Sequence, residues 1–236
     1  MNLEHIEARL SELPLYCYYF FDPKELEEVI ALEDETDLYE DALGSYLVKL
    51  TGKDLSVRDN RSLNTLLYTI SDLERIADHA VAIAKAGQEM SDKNIVFSQS
   101  AQQELQVLES AVLDIVKNTV NAYIHDDLEQ AMKIEPQEQV VDVLVKEVKS
   151  RHVRRLRDGL CTVEYGFVLE DLLTAYGRSA DHCSNVAVEM LQVAEGKLEA
   201  HEYLNALKAG QLRESAQFAE HFKSYKERYA FPEERE

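Results

Sequence analysis

The feature that most constrains this chain is an internal repeat. DLERIADHAVAIA, beginning at Asp72, matches AYGRSADHCSNVA, beginning at Ala175, 103 residues further on. The apolar spacing repeats with it: Leu66, Ile70, Leu73, Ala77, Ala80 and Ala84 correspond to Leu169, Leu173, Tyr176, Ala180, Cys183 and Ala187. Intervals of three and four place each set on one face of a helix. A period of this length means that two copies of one helical unit lie side by side.

The rest of the chain carries the same signal. Four prolines and eight glycines punctuate 236 residues, and the stretches between them have helical rather than alternating apolar spacing. Leu105, Leu108, Val112, Ile115, Thr119 and Ala122 form a narrow seam of the kind that meets a partner helix. The pattern predicts seven helical segments, at 3–20, 23–51, 58–90, 97–124, 127–157, 162–194 and 200–229. Asp22-Pro23 supplies an N-cap followed by proline at the first helical position, and Asp126-Asp127 puts acid at another helix start. Gly52 and Gly159 stand where helices should stop.

Composition narrows the partners. A net charge of -20, from 45 acidic and 25 basic residues, repels nucleic-acid phosphates and anionic lipid headgroups and favours cations or basic partners. The three cysteines, Cys17, Cys161 and Cys183, form no CxxC pair, so neither a disulfide framework nor a zinc site is indicated. The N-terminus has neither the basic start nor the apolar run of a secretory signal, which predicts a cytoplasmic chain. The longest near-apolar stretch, Leu13 to Phe21, is about half the length of a bilayer-spanning helix, so no membrane span is expected.

Acidic residues recur at i,i+4. Glu33 and Asp37 form one such pair and Glu74 and Asp78 another, each projecting from one helical face. Like charges at this spacing cost a few tenths of a kcal/mol, which something should offset. If 23–51 and 58–90 form an antiparallel hairpin, Glu33 lies level with Asp78 and Asp37 with Glu74. Four carboxylates then face one groove, just off the core, and suit hard or borderline cations such as magnesium, manganese, iron or zinc. The plainer reading is a set of surface carboxylates paired with Arg75 and nearby lysines. By the same levels the second unit pairs Glu135 with Asp181 and Gln139 with Gly177, so one level keeps both carboxylates and the other has lost both. Pro136 is expected to bend that helix. His79 and His182 are equivalent and stand beside Asp78 and Asp181, as added ligands or as structural residues. Cys183 reads as a small buried residue, and the aromatic run Tyr16, Tyr18, Tyr19, Phe20, Phe21 as core or partner contact.

At these residues the sequence resembles the PhoU family, whose repeated three-helix units carry E(D)xxxD motifs and an ERIGD-like signature, here Glu74-Arg75-Ile76-Ala77-Asp78. More narrowly, EDALGSYLVKL (Glu40 to Leu50), LERIADHAVAIA, SADHCSNVA and HEYLNALK are similar to the cytoplasmic PhoU-like tail of bacterial sodium/phosphate cotransporters. The resemblance implies an all-α fold: two tandem three-helix units in an elongated bundle, at 1–92 and 93–196, with a C-terminal helical extension at 197–236. About twenty residues interrupted by Pro14 precede Asp22, so either the chain is a fragment of a longer cotransporter or the first helix of its first unit is shortened and patched by the aromatic run. It also implies bound ions of iron, zinc, manganese or magnesium on Glu33, Asp37, Glu74, Asp78, Glu135 and Asp181. The implied partner is a phosphate transporter or sensor at the inner membrane, with a homodimer as one allowed state, and the implied role is to restrain phosphate uptake.

Two other readings compete. A carboxylate-bridged di-metal enzyme in a helical bundle needs Glu-x-x-His on facing helices, and no ExxH occurs in the chain. HExxH, GxSxG and P-loop patterns are absent as well, so the chain is expected not to be an enzyme. The other reading is a structural adaptor whose acidic grooves bind nothing.

Overall fold

The computed structural model describes residues 21–194 and 215–232, and among these every regular element is a helix. We number them α1 (Pro23–Thr51), α2 (Val57–Lys93), α3 (Gln99–His125), α4 (Leu128–Ala131), α5 (Ile134–Arg157), α6 (Val163–Val193) and α7 (Ala216–Arg228). The expected helix at 3–20 and the first part of that at 200–229 lie outside the described residues, as do Cys17, most of the aromatic run and HEYLNALK.

The helix starts follow side-chain chemistry. Asp22 accepts a hydrogen bond from the Lys24 amide with Pro23 at the first helical position, and Ser56, Ser98, Asp127 and Ser215 cap four other helices in the same manner. Gly159 takes φ +72° in the turn after α5, a backbone state that glycine enters at no steric cost, whereas Gly52 ends α1 in ordinary right-handed geometry. The segment expected as one helix over 127–157 is broken: α4 is a single turn and α5 restarts at Ile134. Pro136 has no N–H for the Met132 carbonyl and its ring crowds that oxygen, so the helix cannot run through and proline falls in the first turn of α5 instead.

Among the described residues, the repeat-equivalent helices α2 and α6 make the most extensive contact. His79 stacks on its own counterpart His182, with ring centroids 5.5 Å apart, which marks a local two-fold relation between the units. Around that point Asp72 accepts from Asn185 and pairs with His182 Nδ1 at 2.6 Å, and Thr69 donates to the buried Glu189 carboxylate at 2.6 Å. In the second unit α3, α5 and α6 form a three-helix bundle. Leu105, Leu108, Val112 and Ile115 of α3 interlock there with Val141, Leu144 and Val148 of α5 and Leu169, Leu172 and Tyr176 of α6. The α3–α5 pair is clamped by a buried ion pair, Arg155 reaching both oxygens of Glu104 at 2.9 and 2.8 Å. α7 lies along α5, and its Tyr229 hydroxyl and Arg228 guanidinium both donate to Asp114 of α3 at 2.6 Å. In the first unit α1 packs mainly on α2, through a small cluster centred on Val29, Val81 and Ala84. No helix among the described residues is long and apolar enough to cross a membrane.

Candidate metal centre

The α1–α2 hairpin carries Glu33 on one arm, and Glu74 and Asp78, one turn apart, on the other. One oxygen from each of the three lies within 4.8 Å of the others, and all three residues are half-buried. Glu33 and Asp78 thus face each other closely across the hairpin, carboxylate to carboxylate. Burial first, and then the charges of Asp78, Asp34 and Asp37, push the Glu33 carboxyl above its ordinary range. Burial and Asp78 raise Glu74 likewise, against the opposing pull of Arg75. That arginine is exposed and stands 3.8 Å from both Glu74 and Asp78, at the outer limit of an ion pair. Asp37 is near enough to act on Glu33 and Glu74 but lies outside the close trio.

This geometry fits a cation. The donors are carboxylate oxygens from two helices, their mutual repulsion is weakly offset by protein charge, and the residues are open enough to be reached from water. Such a set suits hard or borderline divalent and trivalent ions.

The second unit is arranged differently from the expected levels. Glu135 and Asp181 do not share a groove. Glu135 accepts hydrogen bonds from Ser184 and, at 3.2 Å, from Gln139, and it lines a cavity of about 600 Å³ with Ser71, Asp72 and Glu189 between the two units. Asp181 instead faces Glu138 and Asp142 across a groove of about 260 Å³ that also includes Gly177 and Arg178. The reason is a matter of register. The stretch from Glu138 to Asp181 is two residues shorter than that from Glu33 to Asp78, so Glu138 and Asp142 are the counterparts of Glu33 and Asp37. The missed signal is EQVVD at 138–142, which repeats the ExxxD spacing of EDETD at 33–37. Matching Glu33 and Asp37 to Glu135 and Gln139 sets α1 against α5 at an offset of 102, where the structure has 105, and that hid it.

Burial, with the charges of Glu135, Asp181 and Asp142, raises Glu138 to about 7. Arg178 pairs with Asp181 at 3.3 Å as Arg75 does with Asp78. Gly177 replaces the counterpart of Glu74, so the second groove has three carboxylates where the first has four. The histidines add nothing to either set directly. His182 is turned to Asp72, and His79, whose basicity burial and then His182 lower, rests on the His182 ring. Cys183 is fully buried, its thiol pushed up to about 12.

Comparison with known proteins agrees with the repeat. The family model described as PhoU domain matches residues 14–87 and again residues 105–190. The chain is 27% identical over 150 residues to the phosphate-specific transport system accessory protein PhoU homolog 1 of Thermotoga maritima, an alignment covering 64% of this chain and 63% of that protein. It is 23% identical over 182 residues to the corresponding PhoU homolog of Clostridium acetobutylicum, covering 75% and 80%. Among solved structures, PhoU from Pseudomonas aeruginosa superposes with a TM-score of 0.74 at 17% identity, covering 83% of this chain and 93% of that one. The phosphate transport system regulatory protein PhoU from Streptococcus pneumoniae gives a TM-score of 0.69 at 19% identity, covering 83% and 91%. These two likenesses establish the helical-bundle fold.

Proposed function

The chain belongs to the PhoU family, and on that premise we propose that it is a non-catalytic regulator of phosphate uptake that holds a metal ion on its first unit and acts at the cytoplasmic face of a phosphate transporter. The observation that carries this reading is the meeting of Glu33, Glu74 and Asp78 within 4.8 Å. Family membership supports the phosphate system, since the relatives are named as accessory proteins of phosphate-specific transport. The resemblance of Glu40 to Leu50 to cotransporter tails favours a sodium/phosphate cotransporter as the partner.

Glu33, Asp37, Glu74 and Asp78 would hold the ion, which supplies positive charge to a surface otherwise too acidic to approach phosphate or an anionic partner. The chain's own contribution is placement. The α1–α2 hairpin sets Glu33 of one helix against Glu74 and Asp78 of the other, with Asp37 near enough to act on them, and Arg75 moderates their repulsion without neutralising it. The second unit, with Gly177 in place of a fourth carboxylate, binds more weakly. Metal-to-protein ratio by mass spectrometry tests this. Glu74→Ala combined with Asp78→Ala should lose most of the bound metal, and Asp181→Ala should change the total little. Equal losses from the two variants would overturn the assignment to the first unit.

A further inference from the structure

The tip of the α5–α6 hairpin carries a chemistry unlike that of the chain as a whole. The stretch from Lys146 to Arg157 holds six of the chain's 25 basic residues against one acid, Glu147. Arg151 and Arg155 turn inward to Glu104, while Lys146, Lys149, Arg154 and Arg157 stand at the surface. Among them Val153, Leu160, Val163 and Phe167 are 57%, 72%, 60% and 67% exposed. These side chains form one patch. The Lys149–Glu170 ion pair, at 2.6 Å, and the packing of the His152 ring on Gly166 set the hairpin register, which brings Val153 level with Phe167. Val153 lies one turn beyond Lys149, and Phe167 and Val163 lie one and two turns before Glu170, so all three share the face that the ion pair marks. Arg157 follows Val153 by one turn, and Leu160 stands in the turn between the helices. The first unit shows that the fold does not require such a tip. It keeps Val48 opposite Val153, but has Gly44 for Lys149, Gly52 for Arg157, and the exposed Asn60 and Asn64 for Val163 and Phe167.

We propose that this tip docks on the surface of an anionic lipid bilayer. Charge complementarity and exposed apolar groups act together there: Phe167, Val163 and Leu160 enter the boundary between headgroups and acyl chains, and the flanking arginines and lysines meet lipid phosphates. A free phosphate ion would satisfy the cations and leave the apolar side chains in water. An acidic helix of a partner protein is held in a groove, whereas these side chains project from around a turn. The local acids do not cancel the cations. Glu147 meets Arg154 at 3.6 Å, Asp158 meets Arg157 at 3.1 Å and Glu170 meets Lys149 at 2.6 Å, all as exposed pairs of a kind that contributes little in water. The net charge of -20 opposes the approach of most of this surface to anionic lipid, but not of the tip. Asp181 lies 14 residues along α6 from Phe167, about 21 Å at the helical rise, and charges that far apart are largely screened beyond about 8 Å at physiological ionic strength.

Vesicle sedimentation of the full chain tests this, with a chelator present so that no metal bridges the acidic grooves to lipid; the inference stands whether or not those grooves hold metal. The chain should pellet with vesicles of phosphatidylcholine and phosphatidylglycerol at physiological salt, should not pellet with phosphatidylcholine alone, and should be released by molar salt. Arg154→Glu with Arg157→Glu should weaken binding by about 10-fold or more, and so should Val163→Asn with Phe167→Asn, which copies the first unit. Val48→Asn, at the tip of the first unit, should leave binding unchanged. Absence of binding, equal binding to neutral vesicles, or an equal loss from Val48→Asn would overturn the proposal. Binding to soluble polyglutamate as tight as to anionic vesicles, and indifferent to the two asparagines, would point to an acidic protein partner and would overturn it too. A second reading exists because the sequence has no tryptophan. Emission from Phe167→Trp should move to the blue on addition of anionic vesicles and stay in place with neutral ones; an unmoved emission would overturn the proposal even where the asparagine variant fails to fold.

Discussion

At the scale of single residues the most informative position is Gly177. It stands where the first unit has Glu74, its φ is unexceptional, and a Cβ built there meets nothing within 4 Å. A side chain is therefore free to enter the groove beside Glu138, Asp142 and Asp181. Gly177→Glu should give the second unit a four-carboxylate set and raise the metal-to-protein ratio read by mass spectrometry, and an unchanged ratio would show that carboxylate number does not limit that groove. The buried acids away from the grooves set the pH response. Burial raises Glu109 to about 8, and Glu189 to about 7 despite the hydrogen bond it accepts from Thr69. Each holds its proton more tightly folded than unfolded, so each stabilises the fold at low pH and loses that contribution as pH rises through its folded value. The metal-free chain should accordingly unfold at a lower temperature at about pH 8 than at about pH 6, with Glu109→Gln flattening the upper part of that profile in a calorimetric series.

At the scale of elements the second unit is held by polar clamps as well as by apolar packing. Glu104 is 2% exposed as a side chain and takes both of its strong hydrogen bonds from Arg155, with Arg151 more distant at 3.4 Å. Arg155→Ala leaves a buried carboxylate with one long contact and should cost about 3–5 kcal/mol in denaturant unfolding, whereas replacing both partners by apolar residues should cost much less. The elements themselves were largely legible. The helical period gave α1 its observed bounds, and the Asp22-Pro23 pair marked its start. The break between α4 and α5 was legible as a bend at Pro136, but not as a restart, because proline shows that a carbonyl loses its partner and not where the chain resumes. In the site, Glu33, Glu74 and Asp78 could be read from i,i+4 spacing and one assumed hairpin. Glu138 and Asp142 could not be reached by a single repeat offset, since two residues are missing between α5 and α6 motifs and a shift of two changes which helical face is compared. The role of Asp72, which joins His182 and Asn185 across the units, depends on a helix crossing that no local pattern encodes.

At the scale of the whole molecule two unequal units are joined through equivalent helices. Among the described residues the second is a three-helix bundle with the α7 latch, and the first is the α1–α2 hairpin that carries the fuller acidic groove. Because these carboxylates are split between α1 and α2, a change in α1 packing alters their spacing directly. In the proposed function, this acidic groove is what lets the chain restrain phosphate entry. Labelled-phosphate uptake measures it most directly, in host cells that carry the native gene, lack it, or carry a version with Glu33, Asp37, Glu74 and Asp78 all changed to alanine. The native chain should restrain uptake, while the cells with the deletion and those with the four-alanine version, expressed at native level, should both take phosphate up faster and to the same extent. A four-alanine chain that restrains uptake as well as the native one would contradict it.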